Sequence, residues 1–371
     1  MKILHIIDSA GFYGAERMLL NLVHEQISLG LYPIIGSIGT QNCKFKELEK
    51  IAIRRGYPIE LFRMKPGPNI FGAAQILKFA KNYKCDILHS HGYKGNILLG
   101  LLPSDIRKIP LVSTIHGWTS TNIFSRIAFY EILDRFILRF LDAVVFVNKN
   151  IVHNFNFPEK LINSFSFIDN GIDDTPIQPK QLIPDVLNFC RKSPKLIGSI
   201  GRLSQEKGFS FLLDSFSELF KRDDDVRLII LGDGPLKNNL QKQISSLNID
   251  DFVYMPGYVD DASQYLQFFD MLVIPSLQEG LPITLLEAMR AKTLIIASSV
   301  GGIPDALDNG NCGILVPPGN VPVLTKTLYS ALIEKQNHTP MLHNAYTRFI
   351  DKYSSSRMAS QYLELYRSLL N

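Results

Sequence analysis

Asp270-Met-Leu-Val-Ile-Pro275, followed closely by Glu279-Gly-Leu-Pro-Ile-Thr-Leu-Leu-Glu287, is the stretch from which the fold is read. The first part is a short continuous apolar run, the pattern of a strand covered on both faces of a parallel sheet. Gly280-Leu-Pro282 then breaks the chain, and Pro282 suits the first turn of a helix, where its missing N–H is no loss. Glu279 falls in the loop at the helix mouth, and Glu287 lies one to two turns inside. Eight helical positions span at most ~12 Å. Two hydroxyl-binding carboxylates would thus flank helix-terminal amides, which favour anions. The arrangement suits a ligand built as polyol, phosphate and polyol. Taken alone, the pair reads equally well as an acidic helix start plus a second solvated Glu.

The same strand–turn–helix unit recurs in both directions. Lys2–Ile7, Tyr32–Ile38, Tyr57–Phe62, Asp86–His89, Leu111–Ile115, Ala143–Val147 and Phe165–Ile168 read as strands, with helical stretches such as Ala15–Leu29, Ile70–Lys81 and Asn122–Leu141 between them. The second half repeats the plan with Lys195–Ile200, Val226–Leu231, Phe252–Met255, Met271–Ile274, Leu294–Ala297 and Gly313–Val316. Asn170-Gly-Ile-Asp173 and Thr175-Pro-Ile-Gln-Pro179 punctuate the middle. The expected fold is α/β, with two Rossmann-like doubly wound domains facing each other across a cleft. Residues 1–173 form the first, 174–353 the second, and 354–371 a final helix. Ligands of such sheets sit at the carboxyl ends of strands, and every motif discussed here follows a strand.

Composition agrees with two globular domains. The chain has 371 residues, 46% hydrophobic and 20% charged, which excludes disordered and fibrous classes. Cys43, Cys85, Cys190 and Cys312 lack metal-ligand spacing and read as free thiols in a reducing compartment. Residues 1–173 carry 20 basic against 14 acidic side chains, and residues 174–371 carry 19 against 21, together the formal +4. The basic first half suits a phosphate-bearing acceptor or an anionic membrane surface, or is ordinary scatter. The strand pattern at Met1 and the absence of a membrane-length apolar run point to a cytoplasmic protein.

Ser199-Ile-Gly-Arg-Leu-Ser-Gln-Glu-Lys-Gly208 leads from a strand into the helix Phe209–Phe220. Gly201 allows a tight turn. Arg202 and Lys207 then bring two cations to the strand end, a fork and a point charge for phosphate oxygens. Leu231-Gly-Asp-Gly-Pro-Leu236, with Gly232 and Gly234, reads as a phosphate or ribose loop or as a simple turn. Gly301-Gly-Ile-Pro-Asp305 opens another helix with close backbone approach.

Together, G-R-L-S-x-E-K-G, G-D-G-P-L, E-G-L-P-I-T-L-L-E-A-M and G-G-I-P-D, in this order, resemble the retaining glycosyltransferases of family 4, whose architecture is GT-B. Gly11-Phe-Tyr-Gly-Ala-Glu-Arg17 and Thr114-Ile-His-Gly117 are similar to the family's glycine loop and strand-end histidine. The resemblance implies that Arg202 and Lys207 bind the donor diphosphate and that Glu287 holds the ribose. Glu279 would hold the transferred sugar, with backbone amides of the stretch Gly280-Leu281-Pro282-Ile283 around it, Pro282 itself offering no N–H. His116 would stand near the reacting carbon, and Gly14 would close on the phosphates. Asp305 stands where the family often has Glu. The last helix is implied to cross back to the first domain.

The expected activity is transfer of a hexose or N-acetylhexosamine from a nucleotide-diphosphate sugar, UDP before GDP, to a glycan or lipid-linked acceptor. Cell-surface polysaccharide or lipopolysaccharide synthesis is the expected setting. No D-x-D metal motif follows a strand; Asp223-Asp-Asp225 precedes one. Cofactor and essential metal are therefore expected to be absent, with Arg202 and Lys207 in the cation's place. His89 and His91, in Leu88-His-Ser-His-Gly92, read as acceptor contacts or as hydrogen-bonded core residues. Neither a carboxylate nor a third His near in sequence completes a metal set. Lys94 is a candidate for an acceptor phosphate. Asn122–Leu141 interleaves Phe124, Ile127, Phe129, Phe136 and Phe140 with Arg126, Arg135 and Arg139, and reads as a membrane-surface helix or one packed on its own sheet. Two other enzyme classes fit a twin-domain plan, a nucleotide-sugar epimerase and a nicotinamide-dependent oxidoreductase. The second lacks G-x-G-x-x-G at Gly11–Gly14. A partner protein that keeps the fold without catalysis would lack one of the key charges, and none is missing.

Overall fold

The structure, a computed structural model, describes residues 1–9, 11–12, 14–65, 67, 69–116, 126–147, 157–158, 162, 164–174 and 182–370, without the side chains of 126–128, 335 and 336. Tyr13, Gly117, residues 122–125 and 175–179, and the side chains of Arg126 and Ile127 thus lie outside the described residues.

The chain forms two units, Met1–Asp173 with Ser354–Asn371, and Asp174–Tyr353. In the first, strands β1 (Lys2–Ile7), β2 (Tyr32–Gly39), β3 (Ile59–Arg63), β4 (Ile87–His91), β5 (Leu111–Ile115), β6 (Ala143–Phe146) and β7 (Phe165–Phe167) form one sheet in the order β3-β2-β1-β4-β5-β6-β7. In the second, β8 (Lys195–Ile200), β9 (Val226–Leu231), β10 (Val253–Gly257), β11 (Met271–Ile274), β12 (Leu294–Ser298) and β13 (Ile314–Val316) are ordered β10-β9-β8-β11-β12-β13. Every pairing is parallel. Strand order reverses at β1/β4 and at β8/β11, the points where doubly wound sheets open to ligands.

Buried apolar runs explain the sheets. Ile197, Leu228 and Ile230 of the second sheet are sealed by Leu212, Leu213 and Phe216 of the helix Phe209–Phe220. In the first sheet, Ile3, Ile87, Val112 and Val145 share one face. That face is covered by Met18 and Leu22 of the helix Gly14–Ser28, and by Met358, Ala359, Tyr362 and Tyr366 of the helix Ser355–Leu370. Each such large side chain, fully buried, contributes ~1.5–3 kcal/mol. The second helix is anchored at its start, where Ser355 N donates to Ile172 O at 2.8 Å and Ser355 Oγ to Glu25 Oε1 at 2.8 Å.

Some boundaries differ from the sequence reading. β4 continues two residues past His89, so His91 is also a strand residue. Pro282 is the cap before the helix Ile283–Ala291, not a member of its first turn. The helix expected over 122–141 is described as Arg126–Ile137 followed by a 3-10 turn at Leu138–Phe140.

Candidate active site

In the second unit, loops leaving β8, β9, β11 and β12 are laid backbone against backbone. Gly201 N donates to Leu231 O at 3.0 Å, Leu203 N to Asp233 O at 3.0 Å, and Gly302 N to Gly280 O at 2.7 Å. A Cβ on Gly232, where φ is +154°, would sit 1.9 Å from Gly201 O; on Gly301, at φ +56°, it would sit 1.8 Å from Glu279 O. A Cβ on Gly234 would likewise sit 2.5 Å from the Leu203 carbonyl oxygen. Gly232 and Gly234 therefore have a structural reason of their own: they let the loop after β9 brace the loop carrying Arg202.

Lys207 ends a 3-10 turn, Gln205–Lys207. The Glu206 carbonyl accepts from Leu277 N and Gln278 N at 2.8 and 3.3 Å, which fastens this turn to the segment after β11. Lys207 Nζ consequently reaches Glu279 Oε1 at 2.5 Å, and Ser276 Oγ donates to the same oxygen at 2.8 Å. Glu279 is nearly buried, and Lys207 is a quarter exposed. Arg202 is exposed on the same loop. Ser204, the Glu206 backbone amide, Lys207 and Arg202, in that order, hold the Glu206 carboxyl below its usual range.

Among the described residues, no side chain caps the helix Ile283–Ala291. Its first amides are the orphan donors that a helix N-terminus offers to anions. Gly280 is exposed, with open space where a side chain would stand, and Leu281 and Ile283 are half-buried at the same mouth. Glu287 is half-buried one turn further in. The structure thus gathers Lys207, Glu279, Gly280 and the helix end into one place. Asp305 is engaged elsewhere, with Lys352 at 2.8 Å and Arg348 at 3.6 Å. Asp223 pairs with Lys195 at 2.5 Å ahead of β9.

In the first unit, Gly14 begins the helix Gly14–Ser28. Asp8, just after β1, is shared by Lys46 and Lys94, each at 2.7 Å. Two cations on one carboxylate leave a formal positive charge beside the start of the helix Tyr93–Gly100. His116 follows β5, and neither of its ring nitrogens has a partner among the described residues. Burial lowers its pKa to about 4.

Of the two sequence readings of His89, the acceptor contact does not hold and the hydrogen-bonded core residue does. The residue is fully buried, with Nδ1 2.6 Å from Tyr366 Oη and Nε2 2.8 Å from Thr114 Oγ1. Its neighbour was missed: His5 is level with His89 in the β1/β4 register. His5 Nδ1 lies 3.0 Å from His91 Nε2, and His5 Nε2 lies 2.8 Å from Gln26 Oε1. Strand alternation puts His5, His89 and His91 on the face that carries Ile3 and Ile87. The signal was the repeated apolar-His alternation in β1 and β4. A third histidine therefore does complete a set, with ring nitrogens within 4.8 Å, but both nitrogens of His5 and of His89 already face protein partners. Burial lowers the pKa of His5 to about 4, and lowers His89 and His91 well below the ordinary value. All are neutral at neutral pH.

The helix Arg126–Ile137 turns its acids inward. Glu131 and Asp134 are buried, and Asn96 Nδ2 donates to Asp134 Oδ1 at 2.8 Å. Phe129, Ile132, Phe136 and Phe140 are 48–63% exposed, and Arg139 lies 4.4 Å from the Phe136 ring centroid. The helix packs on the helix Tyr93–Gly100 by one side and shows an aromatic stripe on the other.

Two parallel-sheet domains with phosphate-type loops and a Lys–Glu pair at a helix mouth define a GT-B glycosyltransferase. Residues 12–175 match the model of Glycosyltransferase Family 4, and residues 188–348 that of Glycosyl transferases group 1. The chain belongs to the family 4 glycosyltransferases. It is 24% identical to N-acetyl-alpha-D-glucosaminyl L-malate synthase of Bacillus anthracis, over 93% of this chain and 97% of that one. It is 25% identical to an O-antigen biosynthesis glycosyltransferase of Escherichia coli, over 76% and 79%. The crystal structure of HepE from Anabaena, in complex with UDP, superposes with a TM-score of 0.82 at 20% identity, covering 99% of this chain and all of that one. These matches give the epimerase alternative no support.

Proposed function

We propose that the protein is a retaining transferase that moves a hexose or N-acetylhexosamine from a nucleotide-diphosphate sugar, UDP before GDP, to a hydroxyl of a glycan or lipid-linked acceptor in cell-surface polysaccharide or lipopolysaccharide synthesis. The observation that carries this reading is the 2.5 Å contact between Lys207 and Glu279 at an uncapped helix mouth. A cation, a carboxylate and orphan amides within one loop cluster suit a diphosphate joined to a sugar. The O-antigen relative and the UDP and glucose complex of HepE lend support to the donor and the setting.

In the reaction, the anomeric carbon–phosphate oxygen bond breaks and the acceptor oxygen bonds to that carbon. The hydroxyl proton passes to the departing phosphate on the same face. Negative charge grows on the diphosphate, and Arg202, Lys207 and the helix amides are the groups we assign to neutralise it. Glu279 is assigned to sugar hydroxyls and Glu287 to the ribose. We assign no metal to this chemistry. His116, with unpartnered ring nitrogens, is assigned to a sugar hydroxyl, and His91 and Lys94 to the acceptor. The malate named for the Bacillus anthracis relative fits a cation such as Lys94 as an anion contact.

A thermal-shift panel tests donor and class together. UDP-sugars should raise the melting temperature, and transfer should continue in EDTA. Stabilisation by nicotinamide nucleotides alone, or loss of transfer in EDTA, would count against the reading.

The exposed stripe Phe129, Ile132, Phe136 and Phe140 favours a second element, peripheral contact with an anionic membrane. No helix among the described residues is long and apolar enough to cross one. Flotation with anionic liposomes, and none with neutral ones, is the expected result.

A further inference from the structure

The buried histidines belong to one continuous hydrogen-bond chain, and its polarity follows from chemistry. Tyr366 Oη lies 2.6 Å from His89 Nδ1. That is an O–H donor distance, shorter than N–H donors ordinarily reach. The phenol therefore donates to His89, whose proton must sit on Nε2, where Thr114 Oγ1 accepts it at 2.8 Å. With its own proton spent, Tyr366 Oη accepts from Gln26 Nε2 at 3.4 Å. The Gln26 amide is thereby oriented with Oε1 toward His5 Nε2, and an amide oxygen only accepts. His5 then carries its proton on Nε2, and its bare Nδ1 accepts from His91 Nε2 at 3.0 Å. One atom is left over. His91 Nδ1 is unprotonated, buried and without a partner among the described residues, at the carboxyl end of β4 beside the His116 ring.

We propose that His91 Nδ1 is the atom that receives a hydrogen bond from an acceptor hydroxyl other than the one that reacts, and that Gln26 is the positioning residue that sets its tautomer through His5, with Tyr366 orienting the Gln26 amide and holding the neighbouring His89. This rests on the glycosyltransferase reading above. The ligand class is a hydroxyl donor, because a neutral imidazole with a bare Nδ1 in this place can only accept. An amide or hydroxyl acceptor atom would be repelled there. The two tyrosines come from the helix Ser355–Leu370, and Tyr362 Oη closes the far end of the chain on Thr114 Oγ1 at 2.7 Å. That helix is therefore part of the site's wiring as well as its cover.

Nitrogen-15 NMR of histidine-labelled protein tests the tautomers without any turnover. His5, His89 and His91 should all show a protonated Nε2 and a bare Nδ1. Gln26→Leu should release His5 and His91 from that state. Tyr366→Phe should disturb His89 directly and, by freeing the Gln26 amide it orients, weaken the tautomer preference of His5 and His91 less than Gln26→Leu does. In kinetics, Gln26→Leu should raise the acceptor KM on the order of tenfold with the donor KM unchanged, the loss of one oriented hydrogen bond. Leu369→Ala, on the same helix and packed on the same core but outside the hydrogen-bond chain, serves as the control that changes stability alone. A proton on Nδ1 of His91 in the unsubstituted protein overturns the proposal, and so does a His91 tautomer indifferent to Gln26→Leu. Displacement of the three histidine signals by stoichiometric Zn²⁺ would instead mark a metal site and equally overturn it. Should Gln26→Leu fail to fold, the first measurement still decides. Failure of the transferase reading would appear separately, as no transfer by the unsubstituted protein.

Discussion

Lys207 Nζ and Glu279 Oε1 are 2.5 Å apart across 72 positions of sequence. The contact ties the loop after β8 to the mouth of the helix Ile283–Ala291, so each charge holds the other where it is wanted. Lys207→Ala should cut turnover by roughly 10²–10³-fold, the ~3–4 kcal/mol typical of one preorganised charge-stabilising donor. Donor binding should survive in part, through Arg202 and the helix amides. Steady-state kinetics against titration of the donor nucleotide separates the two. Near-native turnover would remove Lys207 from the chemistry.

Gly301 and Gly280 sit on touching loops and should respond in opposite ways. Gly301→Ala forces a methyl to 1.8 Å from Glu279 O at positive φ and should destabilise by well over ~1 kcal/mol. Gly280→Ala meets nothing within 4 Å and should leave the melting temperature unchanged. Any loss of activity in Gly280→Ala is then a loss at the ligand.

Acid should destabilise the first unit in a defined window. The unfolded chain protonates its histidines near the ordinary 6.5, whereas burial holds His5 and His116 near 4, with His89 and His91 also well below 6.5. Folded pKa values are depressed, so their full contribution is present above about 6.5 and is lost as pH falls toward about 4. Each group contributes up to ~1.4 kcal/mol per pH unit there. Urea midpoints should be flat on the alkaline side and then fall more steeply than one histidine can explain. A flat profile down to pH 4 would contradict the buried cluster.

Phe136 and Phe140 are about half exposed, so Phe136→Ser with Phe140→Ser should cost little stability. The same double variant should abolish flotation with anionic liposomes. Flotation that persists would move the membrane contact elsewhere.

How much of this was written in the sequence depends on range. Continuous apolar runs located all thirteen described strands to within about two residues, because buried parallel strands carry that pattern on both faces; the largest differences are the start of β3 and the ends of β4 and β10, each two residues. Lys207, Glu279 and the glycine loops were visible as motifs after strands. The pairing of His5 with His89 was not, since strand register decides it and local spacing does not. For the same reason the sequence left His89 open between an acceptor contact and a core residue, and it is a core residue held by Tyr366, 277 positions away. The outward aromatic face of Arg126–Ile137 was also ambiguous. A helix that buries Glu131 and Asp134, the latter against Asn96, reverses the ordinary amphipathic rule.

Because Ser354–Asn371 completes the unit that Met1 begins, the 180 residues of the second unit interrupt the first. During synthesis, at ~5–20 residues per second, roughly 10–40 s separate the two portions. Throughout that interval the nascent sheet bears Ile3, Ile87 and Val112, and its imidazoles, without the tyrosine lid that will seal them. The polypeptide thus passes through an obligatory adhesive phase on the ribosome, and chains stopped short of Tyr362 inherit it permanently.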